Sequence, residues 1–112
     1  MDDDTLLVAC LCAQWCGICR DWRAEFDALA RSFPHVRFVW VDVEDDAERL
    51  GDYEPDDFPV LALQRGPRLL YCATLPQHAA TWQRMIEAYA ADAAPPCAPP
   101  TTLDLRALLP RG

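Results

Sequence analysis

The sequence has little positive charge and no long run of apolar residues. Arginine and lysine together number 10 against 18 acidic residues, which gives a formal net charge of −8. This deficit argues against a nucleic-acid partner, because phosphate binding requires a basic surface. No run of about 18 apolar residues is present, so we expect no transmembrane helix. The acidic start differs from the basic start of a secretory signal, and we therefore expect a cytoplasmic protein with no membrane partner.

The sequence also lacks the patterns of several common catalytic and cofactor sites. It contains no phosphate-binding loop, no Ser/His/Asp set, no catalytically spaced carboxylates and no internal repeat. His35 and His78 stand alone, without a metal-ligating neighbour. The acidic run at residues 42–48 is typical of a solvated surface. We therefore expect neither a cofactor nor a resident metal.

Cysteine, by contrast, is abundant for a chain of 112 residues. Four of the six cysteines fall within ten residues, and the set is Cys10, Cys12, Cys16, Cys19, Cys72 and Cys97. About half of the residues are apolar, so the chain can bury a core and does not need to be stapled by disulfides. The clustering indicates a reactive or metal-binding site.

The apolar patterns predict four strands and two helices in the order β-α-β-β-β-α, with a short helix or turn near residues 44–53. The strands are expected at residues 5–13, 36–43, 60–64 and 69–75. Trp22, Phe26, Leu29 and Phe33 recur at helical spacing, and a second helix is expected at residues 78–92. A strand, a crossover helix and a second strand form a parallel unit. The sequence therefore predicts an α/β fold with a mixed sheet.

The composition changes near residue 93. Residues 93–100 are rich in proline and alanine, which is typical of a stiff extended linker. The last twelve residues carry four leucines and form either a docking segment or a frayed tail, of which the tail is the preferred interpretation. We therefore divide the chain into a domain at residues 1–93 and a linker with a C-terminal tail at residues 94–112.

The sequence Trp15-Cys16-Gly17-Ile18-Cys19 lies where the first strand meets the first helix. At a helix N-terminus, unpaired N–H groups and the helix dipole stabilise a thiolate, so Cys16 is a candidate nucleophile. Cys19 lies one turn further on, where it can attack a mixed disulfide. The spacing of Cys16 and Cys19 also allows two alternatives: the pair could be half of a zinc site or two inert thiols.

The segment from Ala13 to Arg20 resembles the active-site segment of thioredoxins, which commonly reads Trp-Cys-Gly-Pro-Cys-Lys. Phe58-Pro59-Val60 resembles the family's Ile-Pro-Thr, whose proline is cis, and Asp42 matches the family's acidic strand end. The resemblance covers roughly residues 5–91. It implies a minimal thioredoxin fold: a central four-stranded mixed sheet with helices on both faces, lacking the family's N-terminal strand and helix.

The resemblance implies a thiol–disulfide oxidoreductase that acts on protein or peptide disulfides and is recharged by an unidentified electron donor. Cys16 would be the attacking thiol and Cys19 the resolving thiol. The residues implied in substrate binding are Trp15, Gly17, Ile18, Phe58 and Pro59. Without the resemblance, an ordinary trans proline at a strand start would be the preferred interpretation of Pro59.

Three departures from the family pattern bear on function. Cys10 stands where thioredoxins carry a buried aspartate, Phe38 where they carry a lysine, and Cys12 where they carry a tryptophan. Loss of the proton-accepting carboxylate favours an alternative, a protein-binding or redox-regulatory module with little turnover.

The other cysteines allow simpler interpretations. Cys10 and Cys12 share one face of the strand and are expected to be buried apolar residues. The alternative is a thiolate metal site formed with Cys16 and Cys19, for which four sulfurs from a diverging strand and helix would have to converge. Cys72 is expected in the core, and Cys97 is expected to be exposed.

Overall fold

The computed structural model describes residues 5–13, 17–51, 53, 55, 57–91, 95–97 and 103–108. Their secondary structure follows the predicted order. The elements are β1 (Leu6–Cys12), α1 (Gly17–Ser32), β2 (Arg37–Asp42), a first 3₁₀-helix (Ala47–Leu50), β3 (Val60–Arg65), β4 (Arg68–Thr74), α2 (Ala79–Ala90) and a second 3₁₀-helix (Leu105–Leu108).

The four strands form one mixed sheet in the order β2-β1-β3-β4. β1 runs parallel to β2, and β3 is antiparallel to both β1 and β4. All seven residues of β1 are buried, as expected for a continuous apolar strand in the middle of a sheet. Gly66, with a φ of 57°, makes the tight turn between β3 and β4, since a positive φ costs glycine little.

Both α-helices pack on one face of the sheet, hereafter the helical face. Trp22 of α1 and Trp82 of α2 lie with ring centroids 4.9 Å apart, and Phe26 meets Trp82 edge-on at 6.3 Å. Aromatic pairs in these orientations contribute about 0.5–1.5 kcal/mol beyond the area they bury. The apolar stripe of α1 that was predicted from its spacing is therefore core.

The opposite face is covered by the first 3₁₀-helix and by the segment Leu103–Leu108, which contains the second 3₁₀-helix and is hereafter the C-terminal segment. Leu103, Leu105 and Leu108 are buried against β1 and β3 side chains such as Leu11 and Val60. The predicted cover of helices on both faces is thus present, but the second face carries only short helices. The preference for a frayed tail does not fit residues 103–108, which dock.

Residues 95–97 of the proline-rich segment lie beside the outer edge of β4. The N–H of Cys97 donates to the carbonyl of Leu70 at 2.6 Å, and Tyr89 Oη donates to the carbonyl of Pro95 at 3.1 Å. Cys97 is exposed, as predicted. Among the described residues, no helix combines the length and apolar character needed to cross a bilayer.

Candidate functional site

The predicted motif lies where β1 ends and α1 begins. Trp15 and Cys16 lie outside the described residues, so the attacking role of Cys16 stays a prediction. Gly17 is the first residue of α1, and Cys19 lies in its first turn. The predicted junction of strand and helix at this motif is therefore present.

Cys19 forms a disulfide with Cys12, the last residue of β1. The two Cα atoms are 5.7 Å apart, within the usual range for bonded cysteines. Each residue is 1% exposed. From the sequence, Cys12 is expected to be a buried apolar residue or a metal ligand, and its bond to Cys19 is not predicted. The available signal was its place at the strand end, just before the helix that carries Cys19.

A third sulfur lies beside the disulfide. Cys10 Sγ is 3.8 Å from Cys12 Sγ, and both side chains face the helical side, as the strand alternation predicted. Burial raises the pKa of Cys10 well above its ordinary value, and the Arg23 guanidinium and the Trp22 indole N–H offset only part of this. That indole N–H makes no hydrogen bond of regular geometry. Cys10 is therefore a protonated thiol, where a family member would carry a carboxyl group.

The Phe58-Pro59 bond is cis, as the resemblance implied. Leu11 pairs with Val60, and continuing this antiparallel register places Pro59 opposite Cys12. The carbonyl of Pro59 accepts from the N–H of Leu75 at 3.1 Å. The cis proline is thus next to Cys12, on the neighbouring strand of the sheet.

The N–H of Phe58 is already engaged. It donates to Asp57 Oδ1 at 2.8 Å. An extended peptide that paired with this N–H would have to displace the carboxylate, because an N–H makes one strong hydrogen bond at a time.

Gly17 and Ile18 lie on the surface beside Cys19. Gly17 is exposed, and the contact that a Cβ there would make with the described residues is to Arg20 Nη2, at 3.9 Å. Ile18 is 49% exposed and is the large apolar side chain that the described residues leave exposed. Their predicted roles in substrate binding stay predictions, and this position suits them.

A cavity of about 460 Å³ lies beside Cys19, between α1 and the end of β2. Its lining includes two arginines of α1 and three aspartates at or just after the end of β2, namely Arg20, Arg23, Asp42, Asp45 and Asp46. The Arg23 guanidinium lies over the ring of Trp40, 4.7 Å from its centroid. The acidic run at residues 42–48, which is expected to be a solvated surface, thus also borders the candidate site.

The remaining cysteines lie away from this site. Cys72 is buried on the face opposite the helices, as expected for a core position, and burial raises its pKa. Among the described residues, no three histidine, cysteine or acidic side chains are grouped as metal ligands. The tetrathiolate considered from the sequence includes Cys16 and so extends beyond the described residues.

Comparison with known proteins identifies the family to which this fold belongs. The sequence model of the thioredoxin family matches residues 1–87. A thioredoxin H-type of Fagopyrum esculentum is 38% identical over 58 residues, which cover 52% of this chain and 50% of that protein. The chain thus spans about half the length of this curated relative.

Solved thioredoxin structures superimpose on the fold. The thioredoxin of Fasciola hepatica is 26% identical with a TM-score of 0.68, over 75% of this chain and 80% of that chain. The thioredoxin of Trypanosoma brucei brucei is 24% identical with a TM-score of 0.70, over 82% of this chain and 80% of that chain. These similarities agree with the α/β fold built above.

Proposed function

The chain belongs to the thioredoxin family, and on that premise we propose that it is a thiol–disulfide oxidoreductase that reduces protein or peptide disulfides. Cys16 attacks the substrate disulfide and forms a mixed disulfide, and one substrate thiol leaves. Cys19 then attacks Cys16 Sγ, which releases the second substrate thiol and leaves a Cys16–Cys19 disulfide. A dithiol donor restores both thiols.

The observation that carries this proposal is the disulfide at Cys19. Cys19, the resolving residue of the motif, lies in the first turn of α1. Its sulfur is bonded to the sulfur of Cys12, which lies beside the cis proline. Because Cys19 forms a disulfide within the fold, its sulfur suits a residue that must form and break bonds with other sulfurs. Its burial suits a resolving thiol, which meets only a sulfur already attached to the protein.

The surface around the motif suits a peptide substrate. Ile18 offers an exposed apolar contact, and the open position of Gly17 allows a backbone to approach. Trp15, Phe58 and Pro59 complete the proposed contact surface. A net charge of −8 disfavours nucleic acid as a partner, and we propose the cytoplasm, where thiols stay reduced, as the compartment.

Reduction of insulin by dithiothreitol tests the proposal. The wild-type protein should accelerate the reaction, and Cys16→Ser should return it to the uncatalysed rate. Cys19→Ser should instead accumulate a mixed disulfide on Cys16, visible as an adduct by mass spectrometry. Cys97→Ser is the matched control, since it removes an exposed cysteine remote from the motif. Equal rates for the wild type and Cys16→Ser would contradict the proposal.

A protein-binding or redox-regulatory module with little turnover is the second candidate. It is favoured by the protonated thiol of Cys10 in place of a carboxyl group. A double variant, Cys16→Ser with Cys19→Ser, separates the two functions. A binding module keeps its protein partners in this variant, whereas an oxidoreductase loses them.

A further inference from the structure

We propose that Cys12 is a third redox-active cysteine, whose sulfur displaces Cys16 from Cys19 by disulfide exchange within the chain. This inference rests on the proposed function, because that reaction supplies the Cys16–Cys19 disulfide. It adds a second oxidised form, in which Cys12 and Cys19 are joined and Cys16 is a free thiol.

The geometry of the disulfide supports an internal origin. Cys12 ends β1 and Cys19 lies in the first turn of α1, so packing of the helix on the sheet brings them together. With each residue 1% exposed, neither sulfur is open to an external oxidant or thiol. Cys16 is three residues before Cys19, and the proposed reaction joins these two cysteines in a disulfide. Cys12 can exchange with that disulfide without any external reagent.

The exchange balances without a further oxidant. The Cys12 sulfur attacks Cys19 Sγ, so that the Cys12–Cys19 bond forms and the Cys16–Cys19 bond breaks. Cys16 leaves as a thiolate and takes up the proton that Cys12 has lost, so that one thiol is consumed and one is formed. The number of disulfides is unchanged, because the substrate has already been reduced in the preceding step.

Cys10 supports the sulfur of Cys12 in this step. The two Sγ atoms are 3.8 Å apart, and Cys12 carries no hydrogen in the disulfide, so Cys10 is the donor of the S–H contact. Burial keeps Cys10 protonated, which preserves this donor when negative charge develops on Cys12. A protonated neighbour that faces a reacting sulfur stabilises its thiolate.

The exchange changes what Cys16 can do. While Cys12 holds Cys19, a substrate attached to Cys16 meets no resolving thiol. The second oxidised form therefore captures substrate as a lasting mixed disulfide, until an external thiol cleaves that mixed disulfide and the freed Cys16 thiolate attacks Cys19 Sγ.

Disulfide mapping of the oxidised wild-type protein tests the inference without any variant. The protein is oxidised with one equivalent of insulin disulfide, labelled with iodoacetamide in the native state and unfolded in acid with N-ethylmaleimide. Chymotryptic cleavage after Leu11, Trp15 and Trp22 then separates the cysteines. The expected product joins residues 12–15 to residues 16–22, with the iodoacetamide label on Cys16.

A map in which Cys12 carries an alkyl group and residues 16–22 contain an internal disulfide overturns the inference and leaves the proposed function intact. A map with no disulfide at Cys19 overturns both. The insulin assay is run on the same preparation, so failure of the oxidoreductase activity is recognised separately.

The variant Cys12→Ala gives the reciprocal result. Oxidised Cys12→Ala should close the Cys16–Cys19 disulfide and lose the native iodoacetamide label on Cys16. Cys72→Ala is the matched control, since it removes a buried cysteine that is free and lies on the opposite face, and it should label as the wild type does. Equal labelling of Cys16 in oxidised Cys12→Ala and wild type overturns the inference.

Discussion

Gln64 Nε2 on β3 donates a hydrogen bond of 2.7 Å to Asp104 Oδ1, 40 residues further along the chain. The other end of the same amide, Oε1, accepts from the N–H of Leu105 at 2.8 Å. Gln64 is 1% exposed and is the buried polar side chain among the described residues. The C-terminal segment is therefore held by directional bonds as well as by its leucines.

Replacing this glutamine should destabilise the fold. Gln64→Met leaves the buried N–H of Leu105 without an acceptor, and an unsatisfied buried group costs about 1–3 kcal/mol. Urea unfolding followed by circular dichroism measures the loss. Gln83→Met on the exposed face of α2 is the matched control and should stay within about 0.5 kcal/mol of the wild type. Equal losses for the two variants would contradict a specific role of Gln64.

Stability should fall in acid through Asp104. The Arg106 side chain, which donates to the carboxylate, is the main cause that lowers the pKa of Asp104 to about 2 from 3.8, and Gln64 adds to the effect. Because the folded pKa is the lower one, the ionised form stabilises the fold above about pH 4, and this contribution is lost towards about pH 2. The carboxylate is 41% exposed, so we expect only about 1 kcal/mol after solvent screening.

The measurement is the pH dependence of unfolding for the wild type and Asp104→Asn. Their difference should be constant above about pH 5 and shrink below about pH 4. Asp21→Asn, on the exposed surface of α1, controls for the loss of one negative charge. A difference that does not change with pH would exclude this carboxylate as the titrating group.

The leucines of the C-terminal segment should contribute as core residues. Leu105 is fully buried, and Leu105→Ala should cost about 2–5 kcal/mol, since the removed atoms leave a cavity. Ile18→Ala removes apolar atoms from a side chain that is 49% exposed and should cost less than about 1 kcal/mol. If thermal unfolding shows similar midpoints for both variants, the segment does not dock in solution.

A carboxylate at position 10 should increase turnover and reduce stability. Cys10→Asp places a proton acceptor near Cys19, at the position where the family carries an aspartate, and burial should raise its pKa. We expect faster insulin reduction at alkaline pH, with a loss of about 1–3 kcal/mol in unfolding free energy. Cys10→Asn is the matched control, which should lose stability without gaining rate. Equal rates for the two variants would show that no proton acceptor is needed there.

The Asp57 carboxylate should compete with a bound peptide. It accepts from the Phe58 N–H at 2.8 Å, and Asp57→Ala frees this donor for the substrate. One hydrogen bond of about 0.5–1.5 kcal/mol corresponds to a KM about 2- to 10-fold lower for a peptide disulfide. Asp45→Ala removes a nearby surface charge without freeing this N–H. An equal fall in KM for both variants would indicate a charge effect instead.

Most of the fold could be predicted because the local patterns are strong. A continuous apolar run indicated the central strand β1, helical spacing indicated α1 and α2, and the Gly66-Pro67 turn indicated the β3–β4 hairpin. The docking of Leu105 could not be predicted, because its binding surface exists only after distant strands have paired. The same holds for the shared face of the two α-helices, which is fixed by how the connections cross the sheet.

The site was predictable in part. The family resemblance located the motif and the cis bond at Pro59, but spacing within a sequence does not determine which sulfur Cys19 meets. That partner depends on the direction of Cys12 at the end of β1 and on the packing of α1 above it. A cysteine next to the active-site segment therefore needs a structure before it can be assigned to core or chemistry.

The docked C-terminal segment has a consequence for synthesis on the ribosome. The sheet and its two α-helices are encoded before residue 91, whereas Leu103, Leu105 and Leu108 emerge last. Until they do, the apolar side chains of Leu11 and Val60 on the nascent chain remain uncovered, and such surfaces attract chaperones or other unfinished chains. Premature termination near residue 100 would therefore leave a nearly complete but aggregation-prone polypeptide.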